Sequence, residues 1–289
     1  MKRAKAFCPG HITGFFEICR TEDPLTTGSR GAGMCLSLGA TSTVEIVDAK
    51  RQRIDISIDG KVSKAEVTRD AVERLIDSRP VHVKISTQLD LPVSQGFGMS
   101  AAGALSAALG VSSIIGHPRQ KAFEAAHIAE IVKGGGLGDV SALHAGGITI
   151  RRKPGLPPIG KVIRIDGRPD LVLCVVGRKM LTKSVLGDPD MQRIINSNGS
   201  KKVDELVRKP TLENLMDLSY DFAVGSGLAT GRTLDAMNAG SEVGRASMSM
   251  LGNSVFSVGD VAGLERILSD LGRTYRCAVD VIGPRILKG

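Results

Sequence analysis

The chain has 289 residues, a formal net charge of +8, 42% hydrophobic and 3% aromatic residues, and no Trp. The length admits one large or two fused domains, with a core built from Ala, Val, Ile, Leu and Met. Lys and Arg are scattered rather than clustered and stacking aromatics are few, so a nucleic-acid partner is not expected; a diffuse positive field suits a small polyanion or a simple solvated surface.

Cys8, Cys19, Cys35, Cys174 and Cys277 are odd in number, far apart and form no C-x-x-C, which speaks against a disulfide framework or zinc and for a reducing cytoplasm. No apolar run reaches signal-peptide or membrane-spanning length, so no membrane partner is expected.

In chain order, residues 4–18 alternate loosely and read as a strand broken by a turn at Pro9-Gly10 and Gly14. Residues 33–48 read as a strand, and 54–60 as a strand entering a hairpin turn at Asp59-Gly60. A short helix is predicted over 70–78 and a strand over 81–86. A glycine loop then opens a helix to about Ile115, Gly116-His117-Pro118 breaks it, and a second helix covers 119–133. Gly134–Gly138 is a loop, and 147–151 a strand. Lys153-Pro-Gly-Leu-Pro-Pro158 is the most linker-like stretch, placing a division at 1–158 and 159–289. Beyond it come a strand at 171–176, helices near 188–208, 211–224 and 228–238, strand-turn-strand over 247–258, a helix over 260–271 and a strand over 275–282. Strands and helices interleave with hairpins, so the class is α+β.

The stretch Pro92-Val-Ser-Gln-Gly-Phe-Gly-Met-Ser-Ala-Ala102 carries the most information. Glycines leading into a helix start present main-chain N–H groups and the positive end of the helix dipole, a site for phosphate. A Walker loop needs a Lys after the glycines, and none follows. Gly96, Gly98 and Ala101 fit G-x-G-x-x-A, but Asp90 and Pro92 interrupt the preceding strand and a second helix follows the first, against a dinucleotide site. A helix whose small residues merely admit a close neighbour stays open on this segment alone.

In order, Pro92, Gly96, Gly98, Ser100, Ala101 and Ala102 match the central loop of the GHMP kinases, which this segment resembles, with Met99 at the first of the usual two serine positions. Ala6-Phe-Cys-Pro-Gly-His-Ile-Thr-Gly14 is similar to the family's first motif, with His11 where many members carry Lys or Arg. Gly138-Asp139-Val140 followed by Gly146-Gly147 is similar to the segment that supplies the family's aspartate. Ala246–Phe256 occupies the place of the third motif, with Met248, Met250 and Leu251 where glycines are the rule. Within the superfamily, Cys8–Phe16, Asp23–Gly33 and Gly136–Ala142 look like the archaeal pantoate kinases. The resemblance implies a ribosomal S5 domain 2-like N-terminal lobe, a ferredoxin-like C-terminal lobe, and transfer of phosphate from ATP to the 4-hydroxyl of pantoate on the archaeal route to coenzyme A. It also implies a homodimer. Kinases for homoserine, mevalonate or shikimate, or a non-catalytic ligand-binding member of the fold, are the alternatives.

The same resemblance assigns residues. Pro92, Gly96, Phe97, Gly98, Met99, Ser100 and Ala101 are expected to form the ATP-binding loop, with the main-chain N–H groups around Gly96–Ser100 on the phosphates. Ser100 and Glu130 are expected on Mg²⁺, which takes few protein oxygens; a plain N-cap and a solvated charge are their alternatives. Asp139 is expected as the base that orients or deprotonates the acceptor hydroxyl, against a turn-type Asp in a surface loop. Ser29, or else Thr27, His127 and Arg151 are expected on the substrate carboxylate, for which a forked guanidinium is suited. A polar turn, a structural histidine and a solvated strand end are the alternatives there. His127 lies one turn before Glu130 and is expected to point into the same site. His11 and Arg30 are further candidates, and no spacing suggests zinc.

Overall fold

A computed structural model describes residues 1–180 and 185–287. The first layer begins with two long strands, β1 (Lys2–Cys19) and β2 (Gly28–Asp48), followed by β3 (Arg53–Ile58), β4 (Lys61–Val62), helix α1 (Glu66–Ile76) and β5 (Val81–Leu89). Helices α2 (Met99–Ile115), α3 (Arg119–Lys133) and α4 (Asp139–Ala145) come next, then β6 (Ile148–Lys153) and β7 (Lys161–Ile165). The second part holds β8 (Asp170–Val175), α5 (Pro189–Arg208), α6 (Leu212–Gly225), α7 (Gly231–Ser241), β9 (Gly244–Met248), β10 (Ser254–Gly259), α8 (Val261–Ser269) and β11 (Arg273–Ala278); β12 (Arg285–Leu287) ends it.

The strands form an eight-stranded sheet, β12-β1-β2-β5-β3-β4 with β6 on β2 and β7 on β6, and a four-stranded sheet, β11-β8-β10-β9. The pairing is antiparallel throughout the named ladders except between β3 and β5. The α+β class is therefore as read from the sequence.

The turn expected inside residues 4–18 is absent. β1 runs through as one strand, with register shifts between Pro9 and His11 and between Thr13 and Phe15. Proline has no N–H for the ladder, so the strand absorbs Pro9-Gly10 as a bulge instead of stopping. The Asp59-Gly60 hairpin has positive φ at both residues (49° and 76°), the geometry a two-residue turn needs to follow the strand twist.

α2 is buried on nearly every side from Met99 to Ser112, between the large sheet and helices α1 and α3. A helix apolar all round belongs in a core, and its alanines and glycines let both neighbours approach. α4, to which the sequence pattern assigns no element, brings Asp139 into a first helical turn.

The chain does not leave the first sheet at 158. β7 forms a hairpin with β6, so sheet membership changes between Ile165 and Asp170, and β12 returns to pair with β1. The linker-like stretch is a packed loop: Leu156 is buried and its N–H donates to Leu25 O at 3.0 Å. α5 and α6 lie against β1, where Asn196 receives the N–H of Ile18 at 2.7 Å. Among the described residues, no helix is long and apolar enough to cross a membrane.

Candidate active site

A cleft of about 350 Å³ opens between the α2 start and the loop joining α3 to α4. Gly96, Phe97, Gly98, Met99, Ser100 and Ala101 line one side; Glu130, Gly134–Gly138 and Asp139 line the other; Ser29 and Arg151 close the end, with Thr13, Phe16, Met250 and Leu251.

The phosphate-loop side is shaped by backbone. α2 starts at Met99 with Gly98 as its cap in the left-handed region (φ 63°) and no side-chain cap. Ser100 therefore sits in the first turn facing the cleft, and the plain N-cap alternative for it is excluded. The 249–252 turn packs behind this loop. A Cβ added to Gly252 would strike the Gln95 carbonyl and the Gly96 nitrogen, and one on Gly96 would strike Ser249 O. Ser254 Oγ donates to Gln95 O at 2.5 Å, and the Met250 N–H to Thr13 O at 3.0 Å. The divergent third motif thus still abuts the loop, with side chains of Met250 and Leu251 as wall.

Opposite stands a buried carboxyl group. Glu130 is 2% exposed, and its Oε2 has no hydrogen-bond partner. Burial, and next the Asp139 charge, hold its carboxyl well above the usual carboxylate range. Both carboxylates approach the Gly136 main chain: a Cβ there would collide with Glu130 Oε1 and stand 3.2 Å from Asp139 Oδ2. One residue earlier, a Cβ on Gly135 would lie 3.8 Å from Ser100 Oγ, so the three oxygen-bearing residues meet around one short glycine stretch. Asp139 Oδ1 lies 2.7 Å from His11 Nδ1. His11 is fully buried, and burial holds its imidazole below the ordinary value, so the neutral ring donates its Nδ1–H to the carboxylate.

Arg151 is 1% exposed at the closed end; Nε donates to Ser29 Oγ at 3.3 Å, and Nη1 has no partner. Burial lowers its pKa, while Asp139 and Glu130 push the other way. A buried guanidinium with a spare donor fits an anion entering from the cleft, and the solvated-strand-end reading of Arg151 is excluded.

Two expected residues lie elsewhere. His127 does not line the cleft: its Nε2–H donates to the carbonyls of Pro24 and Thr27, both at 3.1 Å. α3 packs a different neighbour at each turn, so one turn before Glu130 the same stripe already faces the 24–27 segment. Pro92 precedes the turn at Ser94 and stays behind the loop it introduces. Thr27 exchanges hydrogen bonds with Thr21, and Arg30 points to the opposite face of β2 from Ser29, onto Glu17 (2.8 Å) and Asp204 (2.6 Å). Thr13, Phe16, Met180 and Leu186 escaped the sequence reading, because only long-range packing brings them to the cleft; Ser94 and Leu137 line it from within the two loops already singled out. Among the described residues no group of three or more His, Cys, Asp or Glu could hold a metal.

Residues 64–147 match the GHMP kinases N-terminal domain. A solved phosphotransferase related to the CoA biosynthesis pathway superposes with a TM-score of 0.91 at 33% identity, over 99% of both chains. Homoserine kinase from Cytophaga hutchinsonii shares the fold alone, at TM-score 0.71 and 16% identity, over 99% of this chain and 98% of its own. The pantoate kinase of Methanocaldococcus jannaschii is 35% identical across 94% of this chain and 99% of its own. On that extent of likeness, the chain belongs to the pantoate kinase family of the GHMP kinases.

Proposed function

We propose that the protein phosphorylates pantoate at its 4-hydroxyl, converting ATP and pantoate to ADP and 4-phosphopantoate on the archaeal route to coenzyme A. As a GHMP kinase it uses ATP. The observation that carries the reading is the arrangement of one cleft: a glycine-rich helix start on one side, buried Glu130 beside the partly exposed carboxylate of Asp139 opposite, and a buried, half-unpaired guanidinium at the end. Pantoate is a carboxylate at one end and a primary hydroxyl at the other, and the cleft offers Arg151 with Ser29 to the first and Asp139 to the second.

In this reading the main-chain N–H groups at Gly96–Ala101 hold the triphosphate, with Pro92 supporting the loop from behind. The hydroxyl oxygen forms its bond to the γ-phosphorus as the bond to the β–γ bridging oxygen breaks, and the hydroxyl proton passes to Asp139. Little proton removal is needed early in a loose transition state, so Asp139 chiefly orients the hydroxyl. The orphaned, buried Glu130 oxygen fits a divalent cation, which favours the ionised form of a carboxylate that burial alone disfavours. Ser100 and Glu130 would hold Mg²⁺, which supplies neutralisation of triphosphate charge when bound. His127 braces the segment leading to Ser29 instead of touching substrate. A division into two lobes near residue 158, with the β6–β7 hairpin kept in the first sheet, a homodimer and a cytoplasmic site of action belong to the same proposal and rest on the family likeness; light scattering tests the dimer.

The deciding experiment incubates purified protein with Mg-ATP and, separately, pantoate, homoserine, mevalonate and shikimate, and reads product by phosphorus NMR. Phosphate on pantoate alone is expected. Phosphorylation of homoserine but not pantoate overturns the substrate assignment, and absence of turnover with all four overturns the kinase reading.

A further inference from the structure

We infer that His11 is a positioning residue that fixes the Asp139 carboxylate relative to the phosphate loop, acting from both its main chain and its side chain. The inference rests on the reading of Asp139 as the group that meets the acceptor hydroxyl.

The bulge in β1 makes this double role. Pro9 pairs with Gly39 and His11 with Cys35, so the register slips between them. The freed His11 N–H turns to the phosphate loop and donates to Phe97 O at 3.0 Å. The next residue of that loop sits directly on His11: a Cβ on Gly98 would lie 3.0 Å from its carbonyl oxygen and 3.1 Å from its nitrogen. The ring of the same residue reaches the other wall, with Nδ1 at 2.7 Å from Asp139 Oδ1. One residue therefore spans from the loop expected on the triphosphate to the carboxylate expected on the acceptor.

The ring's chemistry suits orientation. His11 is fully buried and its Nε2 has no partner, so its hydrogen bond to Asp139 is the side chain's polar contact among the described residues. A histidine kept only for packing would leave no reason to bury a nitrogen unsatisfied. With Nδ1–H donating to Oδ1, the second carboxylate oxygen remains an acceptor on the Gly136 side, where the cleft lies. A neutral donor holds the carboxylate in place without the strong stabilisation of its charge that a lysine or arginine would bring.

The test compares His11→Leu, His11→Asn and His11→Gln with wild type, and adds His11→Leu to Asp139→Asn. An asparagine amide places its N–H where Nδ1 stands, whereas a glutamine amide places it nearer Nε2. His11→Leu and His11→Gln are expected to lower kcat about 100-fold, the scale of a mispositioned proton acceptor. His11→Asn is expected within about fivefold of wild type, and the KM values for ATP and pantoate within about threefold in all three. In the double variant, loss of His11 is expected to cost under about threefold beyond Asp139→Asn, because its route to catalysis is already gone.

Additive losses in the double variant, an equal defect in Asn and Leu, or a defect mainly in KM would each overturn the inference. If His11→Leu fails to fold, the Asn–Gln contrast carries the test, and equal activity of those two overturns it. A wild type inactive on pantoate but active on another acceptor removes the substrate assignment alone; the His11 series is then read with that acceptor.

Discussion

The wall at Gly96–Ala101 turns backbone toward the cleft, whereas the wall facing it is made of side chains from β1, β2, α3, α4 and β6. The first is assembled from eleven or so neighbouring residues, and its requirements are local ones, glycines and a helix start, with one distant exception, the close approach of Gly252. The second concentrates unsatisfied polarity in a buried place, with free atoms on Glu130, Arg151 and His11. An unpartnered buried polar atom is destabilising by about 1–3 kcal/mol, more when charged, so this wall is held in a costly state, which a ligand is proposed to relieve. The difference separates a wall that binds through geometry from one that binds through electrostatics, and each can be broken alone.

The largest effect is expected from the electrostatic wall at the reacting atom. Asp139→Ala should lower kcat by about 10³-fold or more. ATP affinity, which the proposal assigns to the opposite wall, should stay within a few-fold. Rapid-quench measurement of phosphoryl transfer, with calorimetry for ATP binding, separates the two. Equal loss of both would mean that the walls do not divide the work and would remove the base assignment.

Next is the closed end. Arg151→Ala deletes charge-assisted hydrogen bonds, each worth about 1.5–3 kcal/mol when one partner is ionised. The pantoate KM should rise about 10- to 100-fold with kcat little changed, since the contact is made in ground and transition states alike. Arg151→Lys should recover part of it, as a point charge without the fork. An unchanged pantoate KM would assign the carboxylate to another partner.

The contrast between the walls also explains what the sequence discloses. The phosphate loop was readable because one contiguous stretch both folds and functions; Ser100, Glu130 and Asp139 could be named from motif and position, and the structure gathers them around Gly135–Gly136. Arg151 was readable as a strand residue, but its burial was not, because that depends on Ser29 and on the α3–α4 loop closing over it. His127 shows the limit of helical periodicity. The stripe Phe123–His127–Glu130 is real, yet each turn of α3 meets a different element, so sharing a stripe does not mean sharing a cavity. The β1 bulge was legible only as Pro9-Gly10, with no local sign that it would deliver a strand N–H to Phe97.

A milder break tests the geometric wall from behind. A methyl group at Gly252 meets the Gln95 carbonyl and the Gly96 nitrogen, both backbone, which must move to admit it. Gly252→Ala should raise the KM for ATP about tenfold through displacement of the loop, since shifts of an ångström or less are costly in a positioned site. The pantoate KM should stay near wild type. A change confined to pantoate would show that the 249–252 turn serves the electrostatic wall instead.

The smallest effect concerns His127, and it asks whether that residue belongs to the second wall at all. Burial holds its imidazole below the ordinary value of 6.5, and it donates to two carbonyls as a neutral ring. Below pH 6.5 the unfolded chain therefore binds a proton that folded His127 does not, so its contribution to stability is lost as the pH falls. The slope it adds is at most about 1.4 kcal/mol per pH unit. Buried His11 and the more exposed His144 act in the same direction, desolvation being the largest cause in each. His127→Gln keeps an N–H near the Nε2 position for Pro24 and Thr27 but cannot titrate. Denaturant unfolding at pH 6.5 and 5.5 should show a smaller loss of stability in this variant than in wild type, while the pantoate KM at neutral pH changes by less than about threefold. An unchanged pH slope together with a pantoate KM raised tenfold or more would place the imidazole on the substrate, and would extend the electrostatic wall one turn further along α3 than the geometry puts it.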